Sequence, residues 1–260
     1  MMFKNLRLQA FLPIVGPIAL LLVWELAITA KWVKPVLLPP PGETLGYLGQ
    51  SIMSGAIYGD FLATLKRTMY SFFLATVVGV PLGIALGSNE KIYRSVEFLI
   101  DFFRSTPSSA LIPLFLLIFG ITDVNKIAIA TFAAVLLIIF NSAYGVMNAK
   151  KTRVNAAITM GIPKRFIFKD VLFMESLPQT FVGLRTGVSM ALVIVIVAEM
   201  FIGSTDGLGH RIIDAQQVFN VKEMYGSILI TGALGYGLNL LFLLVEKRIV
   251  HWSGKAWQPY

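Results

Sequence analysis

The sequence predicts an all-α membrane protein with six transmembrane helices and both termini in the cytoplasm. Three observations carry that expectation. Of the 260 residues, 56% are hydrophobic and only 14% are charged, with a mean hydropathy of +0.75. A soluble domain carries about 25% charged residues, so this chain has too little polar side chain to coat a water-facing surface. Six apolar stretches recur along it, each near the ~20 residues needed to cross the hydrocarbon core. Finally, Lys and Arg are spread unevenly over the segments between those stretches.

Taken in order, the expected spans are Phe11–Ala30, Phe61–Gly87, Val96–Phe119, Ile127–Met147, Gln179–Gly203 and Met224–Val250. The first is long and lacks a small-residue cleavage site, so it reads as a retained helix rather than a signal peptide. The proline run Pro39-Pro40-Pro41 makes the segment after it extended, and Thr44 to Met53 reads as a short surface helix within the outer loop of about 31–60. With an inner N-terminus, the cytoplasmic segments hold 13 Lys and Arg, among them Lys4, Arg7, Lys91, Arg94, Lys247, Arg248 and Lys255. The outer segments hold Lys31, Lys34, Lys126, Arg211 and Lys222. Cytoplasmic loops of membrane proteins accumulate Lys and Arg, which sets the orientation. It also accounts for the net charge of +8 without a nucleic-acid partner. Residues 1–260 form one transmembrane domain.

There is no cysteine, and His210 and His251 lie far apart. Thiol catalysis and cysteine or histidine metal sites are therefore not expected. No G-x-x-x-x-G-K-[ST] run is present, so the chain lacks the loop that cradles nucleotide phosphates.

The cytoplasmic segment Asn148–Pro178 is too long for a tight turn. Thr152 or Arg153 to Met160 has a helical pattern strengthened by Ala156 and Ala157. Gly161 ends it in a left-handed conformation, and Pro163 opens a second helix with Lys164 and Arg165. The small residues would let a partner approach closely. Spacing alone leaves a docking element and a headgroup-binding amphipathic loop equally open.

Further inward, Glu90, Arg94, Glu97, Asp101 and Arg104 are spaced to share one helical face. They read either as structural ion pairs at a solvated helix start or as an inner gate with Arg185 as partner. Ser105, Thr106, Pro107, Ser108 and Ser109 follow inside the third span. Pro107 removes a donor and drives Thr106 out of helical geometry. A helix broken at membrane depth needs protein or a water cavity around it. This run therefore reads as pathway lining, or else as interhelical hydrogen-bond glue. Asn141 has the same two readings.

Glu199 lies in an otherwise apolar run and is not expected to face lipid. It reads as a gating partner of Lys66 or Arg67, or as a side chain reaching the interface. Gly79, Gly83 and Gly87 are spaced for close helix packing, and Gly183 with Gly187 repeats the pattern.

Asn155-Ala156-Ala157-x-x-x-Gly161, a following apolar-basic helix and Leu177-Pro178 together resemble the EAA signature of ABC importer permeases. Trp24-Glu25-Leu26, Leu38-Pro39-Pro40-Pro41, Arg104-x-x-Pro107 with Pro113-Leu114, Gly183-Leu184-Arg185, Ala198-Glu199-Met200 and Gly207-Leu208-Gly209 look like the branch serving nitrate, bicarbonate, sulfonate and taurine importers. Asn155 stands where the signature has an acidic residue, and Met174 where the family usually has a proline.

The resemblance implies a type I ABC importer permease fold and a non-catalytic permease subunit of a bacterial-type inner membrane. It implies a second copy of the chain, two cytoplasmic ATPase subunits that bind ATP and Mg, and an extracytoplasmic substrate-binding protein. It places ATPase coupling in residues 152–174, at Asn155, Ala156, Ala157, Gly161, Pro163, Lys164 and Arg165. The cargo it suggests is a small oxyanion. The alternative is an ATP-independent secondary transporter or channel.

Overall fold

The computed structural model describes residues 4–34 and 36–252, with side chains from residue 14 onward. Lys255, counted above among the cytoplasmic charges, lies outside the described residues.

The described chain is helical throughout. Its elements are α1 (Lys4–Thr29), α2 (Pro41–Met53), α3 (Tyr58–Gly87), α4 (Glu90–Ser105), a 3₁₀ turn (Ser108–Leu111), α5 (Ile112–Phe119), α6 (Asp123–Met147), α7 (Lys151–Thr159), α8 (Lys164–Phe166), a π-helical turn (Ile167–Phe173), α9 (Met174–Phe201), α10 (Leu208–Gln217) and α11 (Val221–Ile249). Among the described residues, four helices are long and apolar enough to cross a membrane: Tyr58–Gly87, Asp123–Met147, Lys164–Phe201 and Val221–Ile249. α4 with the segment Ser108–Phe119 makes a fifth if the bent pair is one span. The chain is a multi-pass membrane protein. In α1 the described apolar part is Ile14–Thr29.

Three expectations about the spans need correction. The third begins at Glu90 rather than Val96, and at the break expected from Pro107 its two halves are bent by 89°. The fourth begins at Asp123, where Thr122 caps it by accepting the Asn125 N–H, so Lys126 lies in the helix rather than in a loop. The fifth does not begin beside Pro178. The helix runs unbroken from Lys164 to Phe201 with Pro178 inside it. The proline removes one backbone donor, a loss that packed membrane helices tolerate.

Contacts divide the chain into two units. One comprises Met1–Gly59 and Arg211–Ile230, the other Asp60–His210 and Thr231–Tyr260. In the first, Pro41 opens α2, and the Trp24 indole donates to the Pro39 carbonyl at 3.0 Å. Its ring lies 5.7 Å from Tyr225. Lys222 meets Glu43 and Arg211 meets Glu223, both at 2.7 Å. Burial, and then Glu223, push the nearby Tyr47 phenol above its ordinary range.

The second unit is built around α6. Ile129, Ala130, Ala134, Ile138 and Ala143 along this helix are fully buried. On one side α3 lies so close that a Cβ at Gly83 would stand 2.6 Å from the Ile139 carbonyl, and one at Gly87 2.5 Å from that of Ala143. At Gly79 a Cβ would stand 2.9 Å from Ile138. On the other side α9 brings Gly183 against Asn141 and Gly187 against Ile138. Gly83 and Gly87 thus place backbone against backbone, while Gly79, Gly183 and Gly187 make room for the Ile138 and Asn141 side chains.

Candidate functional site

The loop after α6 folds as two helices about a tight break. α7 ends at Thr159, Gly161 takes φ +73°, and its N–H bonds to the Ile158 carbonyl at 2.9 Å. A side chain is strained there, so glycine suits the position. Pro163 then precedes the first turn of α8, and the π-helical turn carries the chain into α9.

Asn155, Ala156, Gly161, Pro163, Lys164 and Arg165 are all exposed on this element. Ala157 is not. It is 6% exposed, so of the paired alanines only Ala156 presents a small surface outward. Arg153 on α7 forms an ion pair with Glu175 at the start of α9. A cavity of about 570 Å³ lies between Val154, Ile158 and Gly161 on one side and Ile167, Phe168 and Leu172 on the other. The two short helices therefore present an amphipathic, basic ridge tied directly to a membrane helix.

At the bend, Thr106 is extended (φ −76°, ψ 124°), as the following proline demands. Its hydroxyl donates back to the Phe102 carbonyl at 2.9 Å. Ser105, Pro107 and Ser109 are exposed, and Thr106 and Ser108 half-buried. Asn141 is placed differently. Its amide donates to the Leu137 carbonyl and accepts from Gln179, both at 2.8 Å, so it joins α6 to α9.

The charged face of α4 pairs internally. Glu90 meets Arg94 at 2.6 Å, and Asp101 meets Arg104 at 3.1 Å. Arg104 also lies 3.7 Å over the Phe140 ring. Arg185 is not the partner of Asp101. It lies 4.0 Å from Glu246 on α11. The i,i+3 spacing gave Asp101 a nearer cation on its own helix.

Glu199 sits in a cluster of buried and half-buried polar groups. It is 1% exposed. Arg67 donates to its Oε1 at 2.8 Å, the Thr64 hydroxyl to its Oε2 at 2.8 Å, and the Gly209 N–H to Oε2 at 3.0 Å. Of the two cations expected beside it, Arg67 forms the ion pair, and Lys66 is exposed. Arg67 also binds Asp123, at 2.7 Å, and Asp206. Lys126 is buried beside them, 3.1 Å from Asp123 and 2.9 Å from the Ser204 hydroxyl.

Sequence reading missed Thr64, Asp123 and Asp206 in this cluster, together with Glu175 and Glu246. The charged ones stood outside the expected spans or at their ends. Only the glycine pair of Gly207-Leu208-Gly209 hinted at a close approach. Among the described residues no group of three or more His, Cys, Asp or Glu is arranged to hold a metal ion.

Residues 79–252 match the family of binding-protein-dependent transport system inner membrane components. A probable ABC transporter permease protein of Brucella abortus (strain 2308) is 30% identical over 85% of this chain and 88% of its own length. The taurine transport system permease protein TauC of Escherichia coli (strain K12) is 27% identical over 93% and 90%. The bicarbonate transport system permease protein CmpB of Synechocystis sp. is 27% identical over 91% and 88%. The fold is similar to a chain of the inward-facing MetNI methionine ABC transporter, with TM-score 0.63 and 22% identity over 74% of this chain and 94% of that one. These relatives bear out the resemblance read from the sequence motifs, including its nitrate, bicarbonate, sulfonate and taurine branch. With more than half its length matched, the chain belongs to the binding-protein-dependent transport system inner membrane components, the permease subunits of ABC transporters.

Proposed function

We propose that this chain forms the transmembrane pathway of an ATP-driven importer for a small oxyanion: nitrate, bicarbonate, a sulfonate or taurine. The observation that carries the reading is the exposed, basic two-helix element around Gly161, continuous with α9 through an unbroken helix of 38 residues. Asn155, Ala156, Gly161, Lys164 and Arg165 are the surface that a cytoplasmic ATPase would grip. Displacement there would reach α9 without passing through a flexible linker.

In this reading α1 and the bent pair complete six spans, and both termini face the cytoplasm of a bacterial-type cell. Two copies pair to enclose the pathway. Two ATPase subunits bind ATP and Mg, and a binding protein delivers the anion from outside. Ser105, Thr106, Pro107, Ser108 and Ser109 line the route, where hydroxyls and free backbone N–H groups at a helix break suit an anion. The family names of relatives, taurine and bicarbonate among them, support the choice of cargo. The internal pairing of Asp101 with Arg104 supports a structural role at the inner mouth, with Arg104 and Arg185 as the cations nearest an arriving anion.

The test is purification of the tagged chain from native membranes in mild detergent. The expected result is a co-purifying ATPase at about one copy per chain, as two matched pairs require. A chain that comes away only with itself, and still moves solute without ATP, overturns the reading.

A further inference from the structure

The cluster around Glu199 joins four separate pieces of chain. Thr64 and Arg67 come from α3, Asp123 and Lys126 from the start of α6, Glu199 from α9, and Gly207 to Gly209 from the turn into α10. All lie at the helix ends remote from α7. We propose that Arg67 and Glu199 are positioning residues that lock these ends into one body, and that this body stays closed throughout the transport cycle. The proposal rests on the importer reading and locates its fixed point.

The geometry argues for a permanent joint rather than a gate. Glu199 is shielded from water and its carboxylate is saturated by a hydroxyl, a guanidinium and a backbone N–H. Opening the joint would strip the fully buried Glu199 carboxylate of the Arg67 guanidinium, and an uncompensated buried charge is the most costly outcome for such a pair. There is no slack for a partial opening. At Gly207 (φ +112°) a Cβ would run into the Glu199 carboxylate, and at Gly209 it would meet the Ile196 carbonyl. The Leu208 N–H is held as well, donating to the Thr64 hydroxyl at 2.8 Å. One turn further in, α3 and α6 approach closely: the Ser71 hydroxyl lies 3.2 Å from the Ile127 carbonyl, and that of Thr131 3.3 Å from the Ser71 carbonyl. Beyond them α3 and α6 touch through glycine.

Elsewhere the ties are looser. The described ion pairs of α4 stay within that helix, and Arg185 and Glu246 stand 4.0 Å apart. On this proposal α3, α6 and α9 keep their remote ends together, and α5 goes with them, because Ile112 is buried in one cluster with Ile129, Val195 and Ala198.

The chain has no cysteine, so a cross-link is unambiguous. Ser71→Cys with Thr131→Cys, closed as a disulfide or with a short bis-thiol reagent, pins α3 to α6 beside the joint. Uptake by the assembled complex is expected to stay within about twofold of its reduced form. Loss of uptake on cross-linking that reduction restores overturns the proposal. A wild-type complex without ATP-dependent uptake would instead count against the importer reading. A second measurement then decides on the joint alone: amide exchange in the wild-type chain. The Leu208 and Gly209 amides are expected to exchange as slowly as those in the middle of α6, and equally slowly when ATP is added to the complex. Exchange as fast as in the exposed turn at Val218 and Phe219, or acceleration by ATP, overturns it.

Discussion

The backbone N–H of Gly209 donates to the Glu199 carboxylate at 3.0 Å, closing a loop of ten residues on the helix from which it came. A carboxylate at a helix N-terminus is favoured by the unsatisfied N–H groups there. Here the anion is supplied by the chain itself. The turn into α10 is thus fixed by a charge on α9 that Arg67 holds in place from α3.

That arrangement sets the cost of breaking it. Glu199→Ala leaves the Arg67 guanidinium short of its buried partner, and about 3–5 kcal/mol of stability is expected to go with it. Arg67→Met combined with Glu199→Leu removes both charges and is expected to recover most of the loss. Thermal unfolding of the purified chain in detergent measures both. Equal destabilisation by the single and the double replacement would show that the pair is not the source.

Gly83→Ala and Gly87→Ala force a methyl group to within 2.6 and 2.5 Å of carbonyl oxygens on α6. Overpacking of this kind costs about 1–3 kcal/mol. Gly16→Ala on α1 meets nothing within 4 Å, and is expected to be neutral or to stabilise by about 0.5–1 kcal/mol. Folded yield and thermal midpoint of the three variants, side by side, provide the check.

The two alanines of the proposed coupling element separate folding from docking. Ala156 is exposed and Ala157 is 6% exposed. Ala156→Trp is expected to leave the thermal midpoint unchanged while abolishing co-purification of the ATPase. Ala157→Trp is expected to lower the midpoint, by overpacking against its own chain.

Arg185 faces Glu246 rather than Asp101. Arg185→Glu is expected to slow uptake, with Glu246→Arg restoring it in the double variant. Combining Arg185→Asp with Asp101→Arg is expected to give no rescue. Initial uptake rates in vesicles distinguish the two, and rescue in the second combination would reinstate the pairing that the sequence suggested.

Much of this was legible because bilayer physics constrains a chain strongly. Apolar runs near 20 residues, the break at Pro107, the left-handed Gly161 and the close approach of Gly83 each follow from one local rule. What stayed hidden was long-range choice. Nothing local tells Arg185 to prefer Glu246, or brings Asp123 and Asp206, 83 residues apart in number, to one guanidinium. α10 escaped notice because its apolar positions are few and its starting anion sits nine residues upstream, in another helix. Pro178 misled because a proline marks a helix start in water more reliably than it does inside a packed membrane helix.

The helix from Lys164 to Phe201 has 38 residues, about 57 Å at the usual rise. The hydrocarbon core is only about 30 Å thick. A rod nearly twice as long as the barrier it crosses has a large overhang, and its far end is bolted down at Glu199. Such a rod behaves as a crank arm. A thrust of a few ångströms on the overhang is spread along the shaft, shrinking steadily toward the bolt. The stroke is then greatest at the Lys164 end, and the π-helical turn at Ile167–Phe173 lies where the bending moment of a clamped shaft can be relieved.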